Sequence, residues 1–280
     1  MRLPIEVDLS NKVVAITGGS GVIGSEMSRA LARSGAKVAI ISLNNNAEQL
    51  LEEIRSNGGT VDIFQGDVTD KSSMEAVRQD IHRLFGTVDI LINGAGGNAP
   101  GGTTEDERYN PNGDTTLKNF FSLDEKEVEF VFDLNFLGTF IPTQVFAQDM
   151  VNKETASIVN ISSMNAFKPL TKIPAYSSAK SAVSNFTEWL STYFSKTNIR
   201  VNAIAPGFLL TQQNEALLLD KDGNYTERSK KILAATPMGR FGEPRELIGA
   251  LLFLIYAPAS SFVNGVVLPV DGGFNAYSGV

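Results

Sequence analysis

The sequence, 280 residues long, has no cysteine and a single histidine. Without a thiol there can be no disulfide, no cysteine nucleophile and no thiolate zinc site. The lone histidine, His82, falls in the amphipathic run KSSMEAVRQDIHRLFG and reads as a helix-surface residue. A Ser-His-Asp hydrolase or a histidine-ligated metal would have to be built from that one imidazole, so neither is expected. The N-terminal MRLPIEVDLSNK lacks an apolar core of signal-peptide length, and no apolar run reaches membrane-spanning length. A cytoplasmic protein without a membrane partner is the expectation. Basic residues are also in deficit, 24 against 31 acidic ones, and the net charge of −7 argues against nucleic acid.

What is present describes one ordinary globular domain spanning 1–280: 42% of residues are apolar, with no internal repeat, low-complexity tract or linker. KVVAIT (12–17) is a short β-branched run that reads as a buried strand. It leads straight into GGSGVIG (18–24) and then a helical pattern. Strand, glycine turn and helix form a pyrophosphate cradle: Gly18 permits the turn, Gly24 lets helix and strand pack closely, and the first amides of the helix face the anion. KVAIIS (37–42) is a second strand ending in Ser42-Leu43-Asn44-Asn45-Asn46. That end offers neither the carboxylate that binds a ribose hydroxyl nor the arginine that welcomes a 2′-phosphate. With no basic residue in the glycine loop before Arg29, NAD(H) is favoured over NADP(H).

VDIFQGDVT supplies a third strand ending at Asp67-Val68, where Asp67 could meet adenine or cap the following helix. TVDILINGAGG (87–97) is a fourth, with the small residues Asn93, Gly94 and Ala95 leaving room for a flat cofactor. ASIVNIS (156–162), IRVNAIAPG (199–207) and GVVLPVDGG continue the alternation. The expected fold is α/β: a single-domain Rossmann-type, doubly wound parallel sheet of about seven strands with helices on both faces. Two stretches break the rhythm. The polar segment 97–121 leaves the carboxyl edge of the sheet and reads as a substrate loop, with Asn98, Arg108 and Lys118 as candidate contacts. Residues 208–240 read as a flap. The aromatic stripe Phe186, Trp189, Leu190, Tyr193, Phe194 is either core or a subunit interface.

The chemistry-bearing stretch is NISSMNAFKPLTKIPAYSSAK (160–180). Tyr176 and Lys180, four apart, share a helix face, and an ammonium beside a phenol would lower its pKa from roughly 10. A serine hydroxyl in the same pocket could hold a carbonyl for that tyrosine. The pair on its own would be an ordinary surface contact, and its meaning depends on the preceding glycine turn. Asn135, in the long helical run 123–151, is a polar amide among apolar neighbours. It either satisfies a nearby carbonyl or holds a water in a proton path.

Taken together and in order, these elements resemble the short-chain dehydrogenase/reductases: the TGxxxGxG-like loop at Thr17–Gly24, Asp67-Val68, NGAG at 93–96, Asn135, Ser163, Tyr176, Lys180, and PGxxxT from Pro206 to Thr211. The glycine order departs from the family pattern, with Gly21 and Val22 where the family has its glycine second. The resemblance implies Tyr176 as general acid, Ser163 as carbonyl holder and Lys180 on the nicotinamide ribose and tyrosine. It also implies Asn135 as anchor of a relay water. Gly18, Ser20, Gly21, Val22, Ile23, Ser42, Asp67, Val68, Asn93, Gly94, Ala95, Pro206, Gly207 and Thr211, together with Tyr176 and Lys180, would line the cofactor. A homotetramer is the usual assembly of such proteins.

INGAGGNAPGGTT, MNAFKPLTKIPAYSSAKSAVSNFT, APGFLLTQQN, PMGRFGEP and VDGGFNAYSGV are similar to a narrower group, the D-mannonate oxidoreductases (fructuronate reductases). That resemblance implies a keto sugar acid as small-molecule substrate. Asn98, Arg108, Asn165, Lys168, Lys172 and Gln212 are its candidate contacts, one of the cations or Gln212 meeting the carboxylate. The alternatives are a gluconate 5-dehydrogenase-like polyol oxidoreductase and, from another class, a dinucleotide sensor without turnover.

Overall fold

The computed structural model describes residues 7–211 and 215–279. Seven parallel strands make one sheet in the order β3-β2-β1-β4-β5-β6-β7. They are β1 (Val13–Thr17), β2 (Lys37–Ser42), β3 (Thr60–Gln65), β4 (Ile90–Asn93), β5 (Ala156–Ile161), β6 (Ile199–Pro206) and β7 (Val267–Val270). Every residue of β1, β4 and β5 is buried. This is why these runs are continuously apolar rather than alternating: a parallel sheet is covered on both faces.

The helices are α1 (Val22–Arg33), α2 (Glu48–Ser56), α3 (Lys71–Leu84), α4 (Glu125–Phe132), α5 (Gly138–Met150) and α6 (Pro174–Tyr193), followed by α7 (Glu215–Leu218), α8 (Glu227–Ala234), α9 (Ile248–Ile255) and α10 (Ala257–Ser260). One apolar layer joins Met27 and Leu31 of α1, Leu50 and Ile54 of α2 and Leu251 and Leu254 of α9 to one face. The other joins Met74 and Ile81 of α3, Val145, Phe146 and Met150 of α5 and Leu190 of α6 to the opposite face. Each such fully buried side chain is worth about 1.5–3 kcal/mol before chain entropy is set against it. The strand order reverses between β1 and β4, and a doubly wound sheet opens its ligand crevice at that switch, beyond the carboxyl ends.

Three local expectations change. Asp67 does not cap α3: Asp70 does, accepting from the amides of Ser72 and Ser73, while Asp67 closes a turn onto Thr69. His82 is more than a surface residue, because its Nε2 lies 2.6 Å from the buried Asp149 carboxylate, which also takes Arg78 at 2.8 Å. That trio ties α3 to α5. The run 125–150 is continuous helix, long and apolar enough by composition alone to cross a membrane. Here it is a core helix packed on β4 and α3, with a π-helical turn at Asp133–Leu137 in its middle.

Candidate active site

At the switch point the glycine turn is shaped by contacts that exclude any side chain. Gly18 has φ +66°, and a Cβ there would sit 3.0 Å from the backbone of Ala95. A Cβ on Gly24 would be driven into Gly18 and to 2.8 Å from Gly19 Cα. The altered glycine order has a simple local outcome. Gly21 is the N-cap of α1 in extended conformation, its carbonyl taking the Ser25 amide, and Val22 and Ile23 open the helix. The first-turn amides therefore still point outward, which suits a pyrophosphate. No side chain caps this helix. Close backbone approach at Gly18, Gly24 and Gly94 is what a dinucleotide needs, so the residues fit the cofactor that the fold implies.

The remaining cofactor candidates surround that turn. The Ser20 hydroxyl donates to Ser42 Oγ at 3.1 Å, closing the end of β2, and Leu43 beyond it is 62% exposed. Val68 is buried, and a Cβ on Gly138 would lie 2.9 Å from it. Asn93 lies deeper than its candidate role suggested. Its Nδ2 donates to Thr143 at 2.9 Å and to Asn160 at 2.8 Å inside the protein, which leaves only its main chain for the crevice edge. The Thr17 hydroxyl accepts from the amides of Gly94 and Ala95 and fixes that edge. Pro206 ends β6, and Gly207 follows with its amide on Val270; a Cβ on Gly207 would strike Asp271. Thr211 is half-buried, its carbonyl taking the Glu215 amide. Gln212 lies outside the described residues.

The second wall stands above β5. Ser163 caps a tight turn, Met164–Ala166, its Oγ accepting the Asn165 amide at 3.2 Å, and its hydroxyl is near enough to Tyr176 to favour the phenolate. Ser162 turns the other way, under α6, onto Ser184 and the Lys180 carbonyl. Pro174 starts α6, so Tyr176 and Lys180 fall in its first two turns on one face. The Lys180 ammonium lies 5.7 Å from the Tyr176 ring centroid and donates to the Ile161 carbonyl at 2.8 Å. A Cβ on Gly96 would touch both Lys180 Nζ, at 3.1 Å, and Asn135 Oδ1, so these two groups meet at that glycine.

Asn135 is wholly buried in the π-helical turn. Its Nδ2 donates to the carbonyls of Gly97 and Val131, both at 2.7 Å, and its Oδ1 accepts the Gly97 amide. Its side chain therefore satisfies a neighbouring carbonyl, the first of the two roles open to it.

Electrostatics correct one expectation. The Tyr176 hydroxyl is pushed up from its ordinary value, not down: burial of its surroundings dominates, and the Ser163 hydrogen bond only partly opposes it. The lowered group is Lys180, brought by burial to about 8. At neutral pH the lysine is still mainly charged and the tyrosine holds its proton.

The substrate candidates scatter. Asn165 is 4% exposed with its Oδ1 unpartnered beside Ser163. Lys168 is committed to the C-terminal segment, donating to the Tyr277 carbonyl at 2.7 Å. Asn98 donates to Thr103, Lys118 to the Pro100 carbonyl, and Arg108 is exposed. Lys172 has the left-handed φ +74°, and its carbonyl takes the Thr104 amide at 2.8 Å. Sequence reasoning missed Lys231 of α8, which pairs with Glu107 of the 97–121 segment at 2.9 Å. The motif TERSKKIL signalled only a polar helix, and the partner lies 124 residues away.

The profile of the short chain dehydrogenase family matches residues 12–222. A Haemophilus influenzae protein described as a candidate D-mannonate oxidoreductase, crystallised with bound NAD, is 55% identical, with all of both chains covered and a TM-score of 0.96. The 2-dehydro-3-deoxy-D-gluconate 5-dehydrogenase of Dickeya dadantii is 32% identical over 96% of this chain and 97% of its own. A gluconate 5-dehydrogenase of Burkholderia cenocepacia, solved with NADP and tartrate, is 29% identical, covering 98% of each chain with a TM-score of 0.82. With the glycine turn and switch-point crevice in place, the chain belongs to the short-chain dehydrogenase/reductase family of nicotinamide dinucleotide-dependent oxidoreductases.

Proposed function

We propose that this oxidoreductase reduces the ketone of a keto sugar acid, converting D-fructuronate to D-mannonate, with NADH as its preferred cofactor. The observation that carries the reading is the convergence of Ser163, Tyr176 and Lys180 on one wall, in a chain so similar throughout to a candidate D-mannonate oxidoreductase. The bound nicotinamide supplies hydride to the ketone carbon. Ser163 holds the ketone oxygen by hydrogen bond, and Tyr176 delivers the proton to it. Burial keeps that proton on the phenol at neutral pH, the form that ketone reduction needs. The Lys180 ammonium offsets the phenolate charge left behind and would hold the nicotinamide ribose of a bound cofactor. Asn135, its amide spent on the Gly97 and Val131 carbonyls, serves the proton path by fixing the Gly96–Gly97 turn against Lys180.

NADH is favoured because β2 ends in the Ser20–Ser42 pair and an exposed leucine, with no cation for a 2′-phosphate. The 97–121 segment and the 208–240 stretch act as substrate loop and flap. The exposed stack of Trp189 on Tyr193, centroids 4.8 Å apart beside Phe186 and Phe140, is assigned to contact between subunits of a homotetramer. Light scattering of the purified protein tests that assignment.

The function is tested by steady-state kinetics with D-fructuronate and 5-ketogluconate, each with NADH and NADPH. The highest kcat/KM is expected for D-fructuronate with NADH. A preference for 5-ketogluconate would move the protein to the gluconate dehydrogenases, which the sugar-acid relatives keep as the second reading. Silence towards every keto acid while NADH binds would make it a sensor.

A further inference from the structure

Four connections leaving the carboxyl edge of the sheet converge on a cavity of about 380 Å³ that none of the catalytic residues lines. Glu107 comes from the segment after β4, Lys172 from the one after β5, Phe208 from the one after β6, and Phe274 from beyond β7; Arg228 and Lys231 of α8 complete the wall. Two of its lining residues adjoin site residues along the chain: Lys172 precedes Tyr176 by four positions and Phe208 directly follows Gly207. Its floor is apolar, with the Phe208 and Phe274 rings edge to face at 5.5 Å. Its rim carries three cations. Glu227 also lines it, but that carboxylate is held by Lys230 at 2.6 Å.

Glu107 is then the carboxylate facing the cationic rim, bound to Lys231 and under the field of Lys172 and Arg108. Both partners are well exposed, with 47% and 68% of their side-chain surfaces open. Such a pair contributes little to stability, so an incoming carboxylate can replace it at small cost. Arg228 has no ion pair among the described residues. Lys172, meanwhile, is a non-glycine residue held at φ +74° by the bond from the Thr104 amide to its carbonyl, which fixes where its side chain leaves the loop.

Resting on the keto sugar acid reading above, we infer that this cavity is the carboxylate subsite of the substrate. Lys231, Arg228 and Lys172 bind the acid end, and Glu107 is the internal carboxylate that it displaces. The chemistry agrees. In a keto sugar acid whose ketone and carboxylate sit near opposite ends of the carbon chain, the acid must be met away from Tyr176. The aromatic floor suits the C–H faces between the two ends.

The test compares D-fructuronate with D-fructose, its neutral counterpart, using NADH and kcat/KM where saturation is not reached. Lys231→Gln and Arg228→Gln are each expected to raise KM for the acid about tenfold while kcat stays within twofold and the D-fructose kinetics do not move. Glu107→Gln is expected to lower KM for the acid. Lys71→Gln, an exposed lysine of α3 far along the chain from the cavity lining, should change neither substrate. Equal losses on both substrates would mark a structural effect and overturn the assignment, as would unchanged KM for the acid in Lys231→Gln and Arg228→Gln. A wild-type enzyme that reduces ketoses but ignores keto acids would sink the proposed substrate itself, and this subsite with it.

Discussion

The two sides of the crevice are built on opposite principles. On the cofactor side, from β1 to Gly97, position is set by backbone pressed against backbone: Gly18 against Ala95, Gly24 against Gly18, Gly94 against Thr17. On the outer side, loops are held by exposed charge, Glu107 to Lys231, and by a strained lysine whose carbonyl ties residue 104 to residue 172. The first side cannot accept a methyl group, whereas the second can exchange one carboxylate for another. A ligand shared by a whole family calls for the rigid construction, and a substrate that differs between members is served by the adjustable one.

Tyr176, on the boundary, separates the two most sharply. Tyr176→Phe keeps the ring and removes the proton, so turnover should fall by about 10³-fold or more with NADH affinity unchanged. Stopped-flow or steady-state NADH oxidation measures the first and fluorescence titration the second. Loss of NADH binding would show that the two sides are not independent. Gly24→Ala attacks the rigid side alone. The new methyl meets backbone, which cannot rotate away, so a loss on the order of 3 kcal/mol is expected, read as a lower thermal midpoint together with weaker NADH binding.

Lys180 gives a pH signature. Its pKa is depressed to about 8 in the folded protein and returns to roughly 10.4 on unfolding. Between those values the unfolded chain binds more protons, so this group's contribution makes the protein more stable as pH rises from 8 to 10. Relative to Lys180→Met, the wild type should gain stability across that window, by at most about 3 kcal/mol. Denaturant melts of the two proteins at pH 7, 8, 9 and 10 measure it, and parallel curves would mean the ammonium is solvated. The raised Tyr176 has its own consequence. Alcohol oxidation, which needs the phenolate, should climb with pH in the alkaline range, while ketone reduction should not.

The legibility of the sequence followed the same division. β2 was readable to the residue and the other strands within a few, because a sheet covered on both faces must be written as unbroken apolar runs between turn residues. Gly18 and Gly24 were readable because only glycine fits. Ser163, Tyr176 and Lys180 could be read as one group through their spacing and order. The direction of the tyrosine pKa could not, since it depends on how far the hydroxyl end is enclosed, which no spacing reports. Which groups engage Asn93 and Asn135 could not be read either, because those partners lie 50 and 38 residues away. The pairing of Glu107 with Lys231 had no local sign at all.

The mildest test bears on the adjustable side. Lys172 sits in the left-handed region that glycine enters freely, and the strain of a side chain there is about 1 kcal/mol. The backbone bond from the Thr104 amide to the residue 172 carbonyl survives substitution, because it needs no side chain. Lys172→Gly should therefore leave the thermal midpoint unchanged or slightly raised, since relief of strain is set against the greater freedom of glycine when unfolded. Its effect should instead appear as a higher KM for a keto acid, with the D-fructose kinetics unchanged. A clear drop in thermal midpoint would mean that Lys172 holds the loops by its side chain, and the contrast between a rigid cofactor side and an adjustable substrate side would have to be drawn elsewhere.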